Sequence, residues 1–202
     1  MEIVFFKNET TKWRGAKMVL LVGGLAGTGK SLLKDVAGQL GLTYYSAGNL
    51  WREISTERGV TPEMLGVISK TDPTVDKLLD DRTKALASQK EDFVLESRLG
   101  PFFVKNRPTC KIILLCHEEV RIRRLMTREC FQELSFAEVK KITLERERID
   151  AERYLQLYGI ENCFDTKVYD YAILTSEDVS DRPKEWVKNQ ILHFYQKSRL
   201  GA

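Results

Sequence analysis

Metal-ligating and redox-active side chains are scarce in this sequence of 202 residues. It has two histidines and four cysteines, and no C-x-x-C pair occurs among Cys110, Cys116, Cys130 and Cys163. Zinc sites need closely spaced ligands of these types, so we expect no zinc site and reduced thiols. No apolar run approaches the ~20 residues that cross a bilayer, and residues 1–17 carry no export-signal pattern. We therefore expect a cytoplasmic protein without a membrane partner.

A large excess of one charge is also missing. The 32 basic and 29 acidic residues give a formal net charge of +3, which is too small to predict nucleic-acid binding. With 43% hydrophobic residues, the chain can bury the core of one domain and is neither disordered nor fibrous. Residues 118–153 stand out because they contain nine basic and nine acidic residues. Such a segment is a solvated helical arm or a lid that meets a charged ligand.

Short apolar runs alternate with segments of helical periodicity. Residues 18–22 are continuously apolar and are followed by glycine, which is typical of a strand buried on both faces of a parallel sheet. Runs of this kind predict five strands, at residues 18–22, 42–45, 92–96, 110–116 and 171–174. Helical periodicity predicts helices at residues 30–40, 46–58, 62–70, 73–90, 119–129, 135–158 and 181–197. The expected fold class is α/β with a mostly parallel sheet, to which residues 3–6 could add an edge strand.

Residues 24–31 read GLAGTGKS and satisfy the phosphate-loop pattern G-x-x-x-x-G-K-[ST] between a buried strand and an amphipathic helix. Backbone N–H groups of such a loop, with the positive end of the following helix, surround a polyphosphate. We expect Lys30 to reach the β- and γ-phosphates of ATP and the Ser31 hydroxyl to bind Mg²⁺. The predicted ATP-phosphate ligands in this segment are Gly24, Gly27, Thr28, Gly29, Lys30, Ser31 and Leu32.

The phosphate loop by itself does not define an activity, because switches, motors, transporters and kinases share it. The N/T-K-x-D motif by which GTPases bind guanine is missing from the sequence. A chain of 202 residues with several short helices between its second and third strands suits a small-molecule kinase better than a motor.

Five sequence blocks carry a family resemblance. They are residues 24–31 (GLAGTGKS), 45–53 (YSAGNLWRE), 93–99 (FVLESRL), 146–159 (RERIDAERYLQLYG) and 168–176 (VYDYAILTS). In order and spacing they resemble the nucleoside monophosphate kinases, and most closely the short, archaeal-type cytidylate kinases. The resemblance implies a single P-loop kinase domain over residues 1–202. Its expected parts are a core at 18–45 and 91–118, monophosphate-binding helices at 46–90, a helical lid at 119–159 and a C-terminal strand and helix at 165–202.

The second block contains candidate ligands for the acceptor phosphate. Ser46 lies where a helix is expected to begin, and Arg52 follows one and a half turns later, so both could face an anion at the helix N-terminus. The resemblance implies that Ser46, Gly48 and Arg52 bind the monophosphate. The alternative from the residues alone is that Ser46 only caps the helix and Arg52 lies free on the surface.

The third block places two charged residues after a buried strand, at the sheet edge where α/β proteins bind ligands. Glu96 could orient a water molecule on Mg²⁺ at this position. Arg98 resembles the family arginine that holds the acceptor phosphate. Ser97 stands where family members often have glycine, which leaves the shape of the local turn open.

The fourth block contains Arg146, Asp150 and Arg153, whose spacing of four and then three residues places them on one face of a helix. A matching R-x-x-x-D-x-x-R motif in cytidylate kinases binds the acceptor nucleotide and the transferring phosphoryl group. By resemblance, Arg146 and Arg153 neutralise phosphate charge, and Asp150 orients an arginine or the nucleotide. All three are therefore assigned to the catalytic group with Lys30.

The helix before this block adds three arginines to the predicted lid, Arg121, Arg124 and Arg128. We expect Arg124 and Arg128, one turn apart, to reach the ATP phosphates. Without the phosphate loop nearby, the same arginines would be interpreted as a mixed-charge helical pair joined by weak i,i+4 contacts of about 0.2–0.5 kcal/mol each.

The sequence and the resemblance together predict phosphoryl transfer from Mg²⁺-bound ATP to a nucleoside monophosphate, with CMP or dCMP as the expected acceptor. Two alternatives stay open. One is a kinase for UMP, AMP or another small phosphate acceptor, and the other is a nucleotide-operated ATPase or assembly factor on the same fold. The expected partners are nucleotides alone, with neither nucleic acid nor membrane, and we expect a monomer.

Overall fold

The computed structural model describes residues 3–5, 17–89, 91–105, 107–176 and 183–200. Its centre is a sheet in which five parallel strands are joined by one antiparallel edge strand, in the order β1-β6-β5-β2-β4-β3. The strands are β1 (Ile3–Phe5), β2 (Val19–Gly24), β3 (Thr43–Ser46), β4 (Phe93–Glu96), β5 (Thr109–Leu115) and β6 (Tyr171–Leu174). The predicted α/β class and five-stranded parallel sheet are confirmed. The candidate edge strand is present at Ile3–Phe5, and Phe6 lies outside the described residues.

The helices include some on each face of this sheet. They are α1 (Leu33–Leu40), α2 (Ala47–Glu57), α3 (Pro62–Ile68), α4 (Thr74–Ala87), α5 (Gly100–Phe103), α6 (Glu118–Met126), α7 (Phe136–Tyr158) and α8 (Pro183–Leu200). Most agree with the predicted helices to within a few residues, while the predicted start of the last helix at residue 181 lies outside the described part. The sequence did not predict α5, because four residues are too few to show a helical period.

Alternate residues of β2 pack against opposite layers of helices. Leu20 and Val22 face a core that includes residues of α1 and α8. Val19 and Leu21 face a second core that includes residues of α2 and α4. All six residues of β2 are buried, as expected for a central parallel strand covered on both faces.

The strand order brings the carboxyl ends of β2, β3 and β4 together. Glu96, the last residue of β4, pairs in register with Val22 of β2 on one side and with Ser46 of β3 on the other. Ligands of open α/β sheets bind at such carboxyl ends, where the chain leaves in different directions. The phosphate loop, the α2 N-terminus and the residues after β4 therefore converge on one edge.

None of the helices in the described ranges is long and apolar enough to cross a membrane.

Candidate active site

The phosphate loop follows β2 directly and packs closely against α6. Gly27 has a φ of 82°, and a Cβ at this position would lie 2.6 Å from the carbonyl oxygen of Arg121. Gly24, with a φ of 147°, would bring a Cβ within 2.7 Å of the Thr28 hydroxyl oxygen. Both positions require glycine, because an L side chain would be strained and would overlap its neighbours. The loop ends in a 3₁₀ turn at Lys30–Leu32 that leads into α1.

Lys30 folds back over its own loop. Its Nζ donates hydrogen bonds to the carbonyl oxygens of Gly24, at 2.8 Å, and Leu25, at 2.7 Å, and it lies 3.9 Å from the Glu96 carboxylate. Burial lowers the pKa of Lys30 to about 8, although Glu96 acts in the opposite direction. The Lys30 ammonium group is thus held at the phosphate loop, and its positive charge is only partly compensated by Glu96. The negative charge of a bound polyphosphate would complete this compensation.

Glu96 lies between Lys30 and Tyr44, a residue that was not predicted to belong to the site. The Tyr44 hydroxyl, from β3, donates a hydrogen bond to the Glu96 carboxylate. Burial and this contact with Glu96 raise the pKa of Tyr44, so its hydroxyl remains a proton donor. Alternation along β3 could have indicated that Tyr44 and Ser46 share a face, but the partner on β4 is fixed only by strand pairing.

Ser31 and Glu96 offer the oxygen ligands that Mg²⁺ prefers. Ser31 is exposed at the start of the helix that follows the loop, and Glu96 is a partly exposed carboxylate beside Lys30. This donor set fits a magnesium ion held jointly with nucleotide phosphates. Within the described ranges, no group of three or more His, Cys, Asp or Glu residues could hold a metal by itself.

The predicted ligands of the acceptor phosphate lie at the α2 N-terminus. Ser46 is the N-cap, and its hydroxyl oxygen accepts a hydrogen bond from the Asn49 backbone N–H at 3.0 Å. Arg52 is exposed and donates to the Asn49 side-chain oxygen. A Cβ on Gly48 would lie 3.9 Å from Ser46 Oγ and 4.0 Å from Arg52 Nη1, so hydroxyl and guanidinium flank this glycine. Their binding of a monophosphate stays a prediction.

The residues after β4 meet the long helix α7. Arg98 forms an ion pair with Asp150, and Asp150 also accepts a hydrogen bond from Arg153 Nη2 at 3.2 Å. Arg98 is close enough to Lys30 to contribute to its lowered pKa. The structure thus brings together Arg98, Asp150 and Arg153 beside the phosphate loop. Ser97 is buried, and its hydroxyl accepts a hydrogen bond from the Gly100 N–H at 2.9 Å, where α5 begins.

Arg153 also contacts the helices that precede β4. Its Nη1 lies 3.3 Å from Ser69 Oγ, and its Nε lies 3.5 Å from Asp76 Oδ1. The guanidinium is 5.9 Å from the centre of the Trp51 ring. Trp51, Ser69 and Asp76 were not predicted as site residues, because these contacts join residues more than 70 positions apart.

The remaining arginines divide into two groups. Arg146 and Arg128 are exposed, and Arg128 is close enough to Lys30 to contribute to its lowered pKa. Arg121 and Arg124 instead support the phosphate loop from α6. Arg121 is buried and donates to the Ala26 carbonyl at 2.9 Å, and Arg124 Nη1 lies 3.4 Å from the Gly27 carbonyl. The predicted contacts of Arg124, Arg128 and Arg146 with phosphates stay predictions.

The fifth sequence block ends beside the phosphate loop. Thr175 donates a hydrogen bond from its hydroxyl to the Thr28 carbonyl at 3.0 Å, and its own carbonyl accepts one from Arg124 Nη2 at 2.6 Å. Arg121 extends this framework to α7 through an ion pair with Glu147 at 2.8 Å. The loop is therefore fixed by two elements that are distant in sequence.

The phosphate loop on a central parallel strand, with α helices on both faces, defines a P-loop kinase fold. A shikimate kinase from Bacteroides thetaiotaomicron has the same fold, with a TM-score of 0.60 and 16% identity over 89% of this chain and 98% of that one. An uncharacterised protein from Eubacterium ventriosum gives a TM-score of 0.66 and 16% identity over 89% and 99% of the two chains. At such low identities, the likeness establishes the fold alone.

Sequence comparison identifies the family. The model of the cytidylate kinase-like family matches residues 21–177. The cytidylate kinase of Haloarcula marismortui is 34% identical over 79% of this chain and 81% of its own length. That of Methanothermobacter thermautotrophicus is 33% identical over 79% and 96%. The chain belongs to the cytidylate kinase-like family, which confirms the resemblance seen in the five sequence blocks.

Proposed function

We propose that this protein transfers the γ-phosphoryl group of ATP to CMP or dCMP and forms CDP or dCDP. The observation that carries the proposal is the convergence of Arg98, Asp150 and Arg153 on the sheet edge that holds Lys30 and Glu96. The phosphate loop at this edge suits the polyphosphate of a donor nucleotide, and the second group of cations suits the phosphate of an acceptor. The relatives named cytidylate kinase support CMP as the acceptor.

In this proposal each part of the chain has a separate task. Residues 18–45 and 91–118 form the core that carries the phosphate loop, and residues 46–90 bind the monophosphate. Residues 119–159 act as the lid, and residues 165–202 complete the single domain. The contacts of Arg153 with Ser69 and Asp76 support a direct link between lid and acceptor helices.

The reaction needs no side-chain nucleophile. An oxygen of the acceptor phosphate attacks the γ-phosphorus as the bond to the ADP oxygen breaks, so the protein contributes positioning and charge stabilisation. Lys30 neutralises charge on the β- and γ-phosphates, while Arg98 and Arg52 hold the acceptor phosphate. Arg146 and Arg153 stabilise the transferring group as the lid closes and excludes water that would hydrolyse ATP.

Ser31 and Glu96 are the residues that would hold Mg²⁺ with ATP, the serine through its hydroxyl and the glutamate through a water molecule. A magnesium ion in this position neutralises phosphate charge and orients the polyphosphate. Tyr44 supports this role by fixing the Glu96 carboxylate.

The decisive experiment measures ADP release from Mg²⁺-bound ATP with CMP, dCMP, UMP, AMP, GMP or no acceptor. We expect CMP and dCMP to stimulate release strongly. The Lys30→Ala variant should lose this response, whereas Lys34→Ala, which removes an exposed lysine of α1, should retain it. If another monophosphate stimulates ADP release more strongly, that nucleotide is the acceptor and the assignment of CMP is wrong. If ADP is released equally without any acceptor, the protein is an ATPase and not a kinase.

We further propose that the protein acts as a cytoplasmic monomer whose partners are nucleotides alone. The nearly balanced charge of the chain supports the absence of a nucleic-acid partner. Light scattering of the purified protein tests the monomer directly, and a mass near twice 23.3 kDa would contradict it.

A further inference from the structure

Two buried polar atoms, one in Arg153 and one in the neighbouring Asp76, have no hydrogen-bond partner. Among the described residues, Asp76 Oδ2 and Arg153 Nε are the buried side-chain atoms in this state. Asp76 lies in the first turn of α4 and is only 5% exposed. Leaving a buried polar atom without a hydrogen bond is destabilising, so the unpaired Oδ2 of Asp76 requires an explanation.

The nearest charge does not satisfy this carboxylate. Arg153 Nε lies 3.5 Å from the other oxygen, Oδ1, and the hydrogen bonds of Arg153 go to Ser69 and Asp150. Burial raises the pKa of Asp76, with Asp80 and Asp150 acting in the same direction and Arg153 against them. The protein alone therefore solvates this charge poorly, and a hydrogen-bond donor from a ligand would correct the deficit.

Two further side chains, Asp150 and Trp51, contact the guanidinium that lies beside Asp76. Arg153 joins the Asp150 end of the cluster, where the acceptor phosphate is proposed to bind, to Asp76. The Trp51 ring lies on the same guanidinium, and its orientation is fixed by a hydrogen bond from Nε1 to the Pro62 carbonyl at 3.1 Å. An aromatic surface and one buried acceptor are features of sites that bind a flat, partly polar ring.

An ionised carboxylate only accepts hydrogen bonds. Cytosine presents an exocyclic amino group, which donates, at the position where uracil presents a carbonyl oxygen, which accepts. A buried carboxylate facing this position would attract cytosine and repel uracil. Sites built to hydrogen-bond a particular substrate group discriminate strongly against analogues without it.

We infer that Asp76 accepts a hydrogen bond from the exocyclic amino group of the acceptor base and makes the site selective for cytosine over uracil. The inference rests on the proposed function and deepens it, because it names the residue that selects the base. The competing explanation is that Asp76 only holds Arg153 in place. That role would affect all acceptors equally, whereas base selection affects only those that differ at this group.

The test compares three acceptors: CMP, UMP and the monophosphate of 2-pyrimidinone riboside, which lacks the exocyclic group. For each, kcat/KM is measured with the wild type, Asp76→Ala and Asp80→Ala. Asp80 is a matched control, because it is also buried on α4, one turn later, and its carboxylate is hydrogen-bonded to Tyr158.

We expect the wild type and Asp80→Ala to prefer CMP over the 2-pyrimidinone analogue by about 10–100-fold, as for a hydrogen bond to a charged group. In Asp76→Ala this preference should fall below about threefold, since the acceptor atom is gone. Asp76→Asn should raise the UMP to CMP ratio of kcat/KM about tenfold or more, because its amide can donate to the uracil oxygen. This second variant decides the question if Asp76→Ala does not fold.

Two results would overturn the inference and leave the kinase function intact. One is an equal fall in kcat/KM for all three acceptors in Asp76→Ala, and the other is an equal kcat/KM of the wild type for CMP and the 2-pyrimidinone analogue. A wild type that phosphorylates no monophosphate would instead overturn the proposed function and the inference with it.

Discussion

Three cations of the candidate site, Lys30, Arg98 and Arg153, are paired with other groups of the protein. Lys30 is bonded to two loop carbonyls, and Arg98 and Arg153 share the carboxylate of Asp150. A phosphate that binds to these three side chains must therefore replace partners that they already have. Because each new contact with phosphate costs an existing contact, it adds less to the binding affinity. Substitution of these residues should therefore change measurable properties of nucleotide binding and turnover.

Nucleotide binding should take up protons through Lys30. Because its pKa is about 8, this lysine is roughly half protonated at pH 8, and a bound polyphosphate raises its pKa. Calorimetry of ATP binding at pH 8, in buffers with different heats of ionisation, should show an uptake of up to about half a proton. Lys30→Arg, which does not titrate, should abolish the uptake; equal values for both proteins would refute the assignment.

Arg153→Ala should impair turnover far more than it weakens ATP binding. We expect kcat to fall about 10³-fold, as for arginines that stabilise a transferring phosphoryl group, and the Kd for ATP to change less than about threefold. Arg148→Ala is the control on the same helix, because Arg148 is exposed and paired only with Glu145 and Glu152 among the described residues. Turnover that is the same in the two variants would contradict the role of Arg153.

At the scale of elements, local sequence predicts much of the fold. The capping serine and terminal glycine of α7, Ser135 and Gly159, are visible in the sequence and function as caps in the structure. The phosphate loop was predictable for the same reason, because its residues are contiguous. By contrast, Tyr44 and Asp76 were missed, since their partners Glu96 and Arg153 are brought near only by strand pairing and helix packing.

The close contact between the phosphate loop and α6 predicts that adding a methyl group at Gly27 lowers the stability of the protein. Gly27→Ala should destabilise the protein by about 2 kcal/mol or more, through an unfavourable φ and overlap with the α6 backbone. Gly38→Ala, in α1 with no atom within 4 Å of the new Cβ, should stabilise it by about 0.5–1 kcal/mol. Urea unfolding measures both changes, and a Gly27→Ala variant as stable as the wild type would show that the loop tolerates the displacement.

At the scale of the whole molecule, the strand order places both proposed nucleotide sites on one edge of the sheet. β2, which carries the phosphate loop, lies next to β4, which leads to Arg98, and β3, which leads to Ser46, comes next. No single segment of sequence contains both sites, so their proximity follows from the order of the strands.

A ligand that spans both sites should therefore stabilise the protein more than either nucleotide alone. Adenosine and cytidine joined by a polyphosphate chain, at 100 times its Kd, should add about 2.7 kcal/mol to the free energy of unfolding. For a domain of this size, that corresponds to a rise in Tm of about 5–10 °C. A rise no greater than with ATP at the same free concentration would contradict a shared edge.

The antiparallel pairing of β1 with β6 has a consequence for the order of folding. Ile3 pairs with Ile173, so these two strands lie some 170 positions apart along the chain. During synthesis β1 leaves the ribosome well before β6, and the other described strands, β2 to β5, are also made before β6. Closing so long a loop is entropically costly before the intervening sheet has formed. Among the described strands, β1 is therefore made before the others and is added to the sheet last, and it covers an edge that would otherwise offer unpaired backbone groups to a neighbouring chain.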